Sequence, residues 1–267
     1  MKNSYPYQFE NTKDFDTAMD KYGWLIYEDV ISPGLVDIIN LGFAKAYRLR
    51  RTIQKKNGIE EDMKGTLHHL LEPDNFGFTF ISQLFCDAQI RHFLQGNYIL
   101  NGINGVINLK HATPYVQNVH RDMRSFTAPL KLMIQMIVLL DDFTLDNGAT
   151  FFLSGSHKTP AKPNELKFFG KADRAVARKG SIILFDSLLW HAAGKNYTDD
   201  PRRALTLSFT VPYVKQQLDY PRFLGYEAGE NFSEELRQVI GYNARVPANL
   251  YEFYQPLQRR MYQSGQG

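Results

Sequence analysis

The sequence predicts a mainly β domain, a sandwich or a barrel, with helices packed around it. Three observations support this prediction. Between about residues 98 and 215, seven or eight short segments with strand character are separated by turn signals every 8–12 residues. Residues 204–211 alternate strictly between apolar and small or polar side chains. On both sides of this region, at about 12–95 and 220–260, apolar residues recur at helical spacing. A length of 267 residues suits one domain, 1–267.

The first hundred residues are predicted to be mainly helical. Helices are expected at 12–21, at 32–51 with Ser32 as the N-cap and Pro33 at the first helical position, and at 80–94. A short strand is expected at 24–30. The segment 58–78 is rich in Gly, Pro, Asp and His and is predicted to be a loop that closes over the site as a lid.

The remaining elements are mostly strands. Asp146-Asn147-Gly148 predicts a hairpin, residues 159–171 a polar connection, and Ser233 and Gly241 the start and end of a helix in the tail. The predicted strands are 99–109, 114–122, 130–140, 149–153, 175–178, 181–185, 188–192 and 203–213.

Composition excludes several functional classes. A net charge of +3 and a pI near 8.8 are too mild to indicate nucleic-acid binding. Cys86, the single cysteine, excludes an intrachain disulfide and fits a reducing cytoplasm. The longest apolar run, Leu132 to Leu140, is about half the length that spans a bilayer, so no membrane partner is expected. The first eight residues have no apolar core, so no signal peptide is expected.

Three residues have the types and spacing of a metal site. His120 and Asp122 are two positions apart, which places both side chains on one face of an extended segment. His191 is the third candidate ligand. Two histidines and one carboxylate form the facial triad of non-haem Fe(II) oxygenases, which leaves three coordination positions open. The residues alone do not select iron, since such sets also bind Zn, Mn, Co or Ni.

A candidate carboxylate-binding residue follows the triad. Arg202 comes eleven residues after His191, at the start of the alternating strand. Its planar guanidinium suits a bidentate pair with a carboxylate. Arg203 is the competing candidate, but it would face the opposite side of the strand.

Together these motifs resemble the phytanoyl-CoA dioxygenase family of Fe(II)/2-oxoglutarate oxygenases, especially its ectoine-hydroxylase-like branch. The resemblance covers most of residues 15–215, and the last fifty residues are less diagnostic. Its motifs are His120-Arg121-Asp122, Asn147-Gly148, Ser154-Gly155-Ser156-His157, the stretch from Trp190-His191 to Thr198, and Arg202. It implies a jelly roll (double-stranded β-helix, cupin-like), with Fe(II) on the triad, 2-oxoglutarate on Arg202, and O₂. It also implies a hydroxylase or related oxidase that releases succinate and CO₂.

The resemblance assigns further residues to the cosubstrate and to the substrate. Gln135 and Gln117 are expected to contact 2-oxoglutarate, or to be core amides bonded to backbone. Ala193 stands where the phytanoyl-CoA member has a serine that binds the same carboxylate, so that contact must be replaced or absent. Arg121, Arg124 and His157 are expected to face the substrate, a small polar or anionic metabolite or a sugar-like molecule.

Several alternatives remain open from the sequence. Arg121 and Arg124 could pair instead with acidic residues of neighbouring loops, namely Asp141, Asp142 or Asp146. The chain could be a cupin-like isomerase or lyase that uses the triad without 2-oxoglutarate, or a non-catalytic jelly roll that binds a small molecule. The substrate, the carbon attacked and the oligomeric state are not specified.

Overall fold

A mostly β core of two sheets with flanking helices is present in the computed structural model, which describes residues 3–8, 12–73, 75–110, 112 and 115–260. The strands are β1 (Ser4–Pro6), β2 (Trp24–Glu28), β3 (Thr66–Leu67), β4 (Ile99–Asn108), β5 (Met133–Leu139), β6 (Thr150–Phe152), β7 (Asp173–Ala175), β8 (Ile182–Asp186), β9 (His191–Ala192) and β10 (Arg202–Thr210). The α-helices are α1 (Lys13–Lys21), α2 (Pro33–Lys56), α3 (Phe76–Ile81), α4 (Asp87–Leu94), α5 (Glu165–Lys171), α6 (Tyr220–Leu224), α7 (Glu234–Ile240) and α8 (Leu250–Phe253).

The two sheets differ in size. The large sheet has the strand order β1-β2-β8-β5-β10-β4-β3, and the small sheet has the order β7-β6-β9. Strands that are neighbours in space are often distant in sequence, as in the antiparallel pairs of β10 with β4 and β5. This crossing-over between two facing sheets is the jelly-roll arrangement that the sequence predicts.

The large sheet is buried on both faces. Successive side chains of a strand point alternately to the helices and to the small sheet. On β5, Ile134, Met136 and Val138 pack into the core formed with the helices. Ile137 and Leu139 point instead towards the small sheet. Because side chains alternate along a strand, Gln135 shares the face of Ile137, so a polar group is placed between the two sheets.

Most predicted helices are confirmed, with different ends. The N-cap is Ser32, whose Oγ accepts a hydrogen bond from the Leu35 amide, and α2 continues to Lys56 rather than ending near residue 51. The predicted helix 80–94 is wrong as one element, because the chain breaks between α3 and α4, where Leu84 and Cys86 have positive φ. The predicted tail helix is confirmed, with Ser233 as the N-cap and Gly241 in the left-handed conformation after it.

Several loop and strand predictions are corrected by the structure. The segment 115–122 is a 3₁₀ turn followed by a bend, not a strand, and Pro114 lies outside the described residues. The polar connection 159–171 contains helix α5, whose N-cap is Asn164. The Asn147-Gly148 turn exists, but it joins β5 and β6 of different sheets instead of forming a hairpin.

The segment 58–78 is also more ordered than the predicted loop. It contains β3, which pairs with β4 at the edge of the large sheet, and the first residues of α3. Within the described part of the chain, no helix is long and apolar enough to cross a membrane.

Candidate metal and cosubstrate site

His120, Asp122 and His191 converge at one point between the sheets. One ligand atom from each side chain lies within 4.8 Å of the others. The Asp122 carboxylate faces both rings, with its Oδ1 3.7 Å from His120 Nε2 and its Oδ2 3.6 Å from His191 Nε2. His191 is distant in sequence from the other two, and the fold brings it to them through an isolated antiparallel bridge between His120 and His191.

Backbone carbonyls fix the tautomers of both histidines. The Nδ1–H of His120 donates to the Asn118 carbonyl at 2.7 Å, and that of His191 donates to the Leu189 carbonyl at 2.9 Å. Each Nε2 faces Asp122 and is the ring nitrogen left to bind a metal. Burial, together with the nearby His120, lowers the pKa of His191 to about 4, so that its imidazole is neutral at physiological pH. Two imidazoles and a carboxylate are a suitable donor set for a divalent transition metal.

Arg202 lies in the same cavity as these three residues. The cavity has a volume of about 500 Å³. The Arg202 side chain is 3% exposed, and its guanidinium lies 4.0 Å from the centre of the Phe143 ring. Its Nε is buried without an acceptor, and among the described residues it has no ion-pair partner. Burial lowers the pKa of Arg202 to about 9, which still leaves the group charged at neutral pH.

Arg203 faces the other side of β10, as the sequence predicts. Its guanidinium forms a bidentate pair with Asp141, with distances of 2.9 Å (Nε to Oδ2) and 2.6 Å (Nη2 to Oδ1). The Arg203 amide also donates to Asp141 Oδ2 at 2.7 Å. The charge of Arg203 is therefore satisfied within the protein, whereas that of Arg202 is not.

The two glutamines have different positions. Gln135 lines the cavity, accepts a hydrogen bond from Ser208 Oγ at 2.7 Å and donates to Ser187 Oγ at 3.4 Å. Gln117 is not among the residues that line the cavity. Its Nε2 donates to the Ala112 carbonyl at 3.1 Å and to Asn108 Oδ1 at 3.4 Å.

The structure places the three residues expected on the substrate side in two different locations. Arg121 and Arg124 line the cavity beside the triad. His157 does not line it. Its ring is buried at 4% exposure against Gly23, where an added Cβ would lie 2.4 Å from Nδ1. Burial lowers the pKa of His157.

The cavity also contains residues for which the sequence predicted no role in the site. His68 Nε2 lies 3.2 Å from the Tyr115 hydroxyl, and both side chains line the cavity. Ala204, Thr206 and Ser208 on β10 line it as well. The alternation of β10 from Arg202 onward could have identified these three, since they share the face of Arg202. The contact between His68 and Tyr115 depends on the pairing of β3 and left no signal in the sequence.

Comparison with known proteins decides the family. The profile described as phytanoyl-CoA dioxygenase (PhyH) matches residues 19–204, which include the triad and Arg202. This chain belongs to the phytanoyl-CoA dioxygenase family. The family is one of iron- and 2-oxoglutarate-dependent dioxygenases, so the family predicted from the motifs is confirmed.

Two curated relatives illustrate the range of the family. The uncharacterized protein Rv1501 of Mycobacterium tuberculosis is 31% identical over 274 residues, which cover 98% of this chain and 99% of the relative. The dioxygenase cdmA of Talaromyces verruculosus is 30% identical over 169 residues, which cover 58% of this chain and 53% of cdmA.

Solved structures with low sequence identity share the fold. EctD from S. alaskensis, crystallised with bound Fe, superposes with a TM-score of 0.59 and 16% identity over 80% of this chain and 83% of EctD. The non-heme alpha ketoglutarate dependent carbocyclase SnoK from nogalamycin biosynthesis superposes with a TM-score of 0.60 and 15% identity. That match covers 80% of this chain and 91% of SnoK. The predicted jelly roll with flanking helices is therefore confirmed.

Proposed function

We propose that this protein is an Fe(II)/2-oxoglutarate-dependent oxygenase that hydroxylates or otherwise oxidises a C–H bond of a small polar metabolite. One observation carries the proposal. Two histidines, one carboxylate and a buried arginine that has no carboxylate partner among the described residues lie in one cavity. Burial of an arginine is costly unless an anion binds there, and 2-oxoglutarate supplies such an anion. A cupin-like isomerase or lyase, which works without this cosubstrate, would need another anion at the same place.

In this proposal, the triad residues would hold the metal. His120 and His191 would bind through Nε2, since Nδ1 of each ring is already committed to a carbonyl. Asp122 would supply the negative ligand. When bound, iron with 2-oxoglutarate and O₂ supplies the oxidising power for attack on a C–H bond, together with release of succinate and CO₂.

The other residues of the cavity position the reactants. Arg202 would bind the distal carboxylate of 2-oxoglutarate by a charge-assisted pair, and its stacking on Phe143 keeps the guanidinium plane fixed. Gln135 presents an amide on the same inner face and is held by Ser208. Ile137, Phe143 and Phe185 also line the cavity and supply its apolar surface.

The test is anaerobic titration with Fe(II), followed by succinate measurement after oxygen is admitted with 2-oxoglutarate. We expect one Fe(II) per chain and succinate formation that depends on 2-oxoglutarate. His191→Ala should lose both iron binding and turnover while keeping a cooperative unfolding transition. Full activity of His191→Ala would contradict the assignment, and metal-dependent turnover without 2-oxoglutarate would favour an isomerase or lyase.

A further inference from the structure

We infer that the substrate carries an oxyanion group, a carboxylate, phosphate or sulfate, and that Arg121 binds it. This inference rests on the proposed function and names the class of molecule that the oxygenase takes. Arg121 lines the cavity from the bend between His120 and Asp122. In a regular strand it would point away from both neighbours, but residues 121 and 122 are not part of a strand, and all three side chains line the cavity.

The guanidinium of Arg121 is held in place without a counter-charge. It lies 5.0 Å from the Trp190 ring centre and 5.6 Å from that of Phe126. Its hydrogen bond to the Arg124 carbonyl is long, at 3.4 Å, and Nη1 is buried with no acceptor. Within the described ranges Arg121 has no ion pair. A cation that is fixed and partly desolvated in this way gains the most from an anion that arrives with the ligand.

The acidic residues that could have neutralised Arg121 are engaged elsewhere or are distant from it. Asp141 is held by Arg203. Asp142 Oδ1 accepts a hydrogen bond from the Lys179 amide. Asp146 is not among the residues that line the cavity. Internal pairing of Arg121 with these loops, the alternative that the sequence left open, is therefore not what the structure contains.

The charge balance of the whole cavity points the same way. Among the described residues, three arginines line it, Arg121, Arg124 and Arg202, against a single carboxylate, Asp122. A divalent metal and the dianion 2-oxoglutarate cancel each other. The loaded cavity would thus keep an excess of two positive charges, and the cations that remain are on the Arg121 side. Asn104 and Gln217 line the remaining wall and add amide groups suited to a hydroxyl-bearing molecule.

The experiment uses sulfate as a probe for the oxyanion site. The protein is loaded with Fe(II) and saturating 2-oxoglutarate without oxygen, and sulfate is titrated by calorimetry at constant ionic strength. We expect saturable binding that weakens about tenfold or more in Arg121→Gln and is partly restored in Arg121→Lys. Arg178→Gln serves as the matched control, because it makes the same substitution at an arginine whose side chain is 75% exposed. Each variant's unfolding temperature shows whether it is folded.

A second measurement separates this inference from the proposed function. Succinate release is compared for matched pairs, sugar phosphates against free sugars and amino acids against their amides. We expect only anionic members to stimulate release, and we expect Arg121→Gln to lose that stimulation while its affinity for 2-oxoglutarate stays within about twofold of the parent. Absence of sulfate binding, equal binding by Arg121→Gln, or stimulation by neutral members would each overturn the inference. Failure to bind Fe(II) or 2-oxoglutarate would instead overturn the proposed function.

Discussion

Arg202 and Arg203 are consecutive residues with opposite environments, and this contrast gives a direct mutational test. We expect Arg202→Gln to weaken 2-oxoglutarate binding by about 10- to 150-fold, because a hydrogen bond to a charged group contributes about 1.5–3 kcal/mol. Arg203→Gln should leave that affinity unchanged, since its guanidinium is paired with Asp141 outside the cavity. Anaerobic titration of both variants is the measurement. If the two variants exchanged these effects, the side of β10 that binds the cosubstrate would be the opposite one.

Arg202 also predicts a pH dependence of ligand binding. Because burial lowers its pKa to about 9, the charged form is present below that pH and is lost as pH rises through it. Glutarate has the carboxylates of 2-oxoglutarate but no keto group. Its binding to the metal-free protein therefore reports the contact between Arg202 and a carboxylate. We expect its affinity to be constant between about pH 7 and 8 and to fall about tenfold per pH unit well above pH 9. An affinity that stays level to about pH 11 would show that the group keeps its proton.

At the level of single residues, the sequence could predict those whose spacing is itself the signal. The position of Arg202 on an alternating strand is of this kind. The two-residue spacing of His120 and Asp122 identified the pair as well, although the strand assumed for it is not formed. Gln117 and His157 were predicted from motif position alone, and the structure places neither in the cavity. Gln117 is on a 3₁₀ turn and His157 is buried beside Gly23. These placements depend on tertiary packing, which no local pattern encodes.

Among the connections between elements, the turn at Gly148 is the one most tightly coupled to the site. Gly148 has φ of +86°, and an added Cβ would lie 2.3 Å from the Gly194 carbonyl oxygen. Gly194 follows His191 by three residues, and its amide donates to the Gly148 carbonyl at 3.2 Å. A side chain at position 148 would therefore push on the segment that leads away from His191.

We expect Gly148→Ala to destabilise the protein by about 1–2 kcal/mol or more, from left-handed backbone strain plus the clash. Iron affinity should fall as well. Urea unfolding and anaerobic Fe(II) titration measure the two effects. Gly170→Ala is the matched control, since that position in α5 has open space and should gain up to about 1 kcal/mol. Equal stability of the two variants would contradict the close approach seen here.

Elements with local signals were predicted better than those without them. The Ser32 and Ser233 caps and the left-handed Gly241 identify helix ends through chemistry that lies within a few residues. The break between α3 and α4 was missed because Leu84 and Cys86 adopt positive φ. Residues of these two types rarely adopt that conformation, so their identity does not predict it. Strand β3 was missed because it has only two residues and exists through its pairing with β4.

On the scale of the whole molecule, ligand binding should add to the stability of the fold. A ligand that binds only the folded state at about 100 times its dissociation constant contributes about 2.7 kcal/mol. For a chain of this size, we expect Fe(II) with 2-oxoglutarate to raise the unfolding temperature by roughly 5–10 °C under anaerobic conditions. His191→Ala should lose the shift. A shift of equal size in that variant would mean that the metal binds elsewhere.

The fold class was predictable because the hydrophobic pattern is distributed over the entire chain. The alternation of β10 and the apolar run of β5 indicate strands, and the helical periodicity of α2 indicates a helix that packs against them. Strand order was not predictable from these patterns, since β2, which lies near the amino end of the chain, pairs with β8. Such pairings are selected by the packing of distant segments, and they determine how the cavity is closed.

The backbone bridge between His120 and His191 has a consequence for which metal the protein acquires. Their amides and carbonyls are hydrogen-bonded to each other at 3.0 and 2.8 Å, so the backbone itself holds the two imidazoles side by side. A nitrogen and oxygen site of this kind follows the general affinity order, in which Ni²⁺, Cu²⁺ and Zn²⁺ bind more tightly than Fe²⁺. Correct loading is accordingly decided by the metals that the cell makes available, and protein purified in air is open to mismetallation.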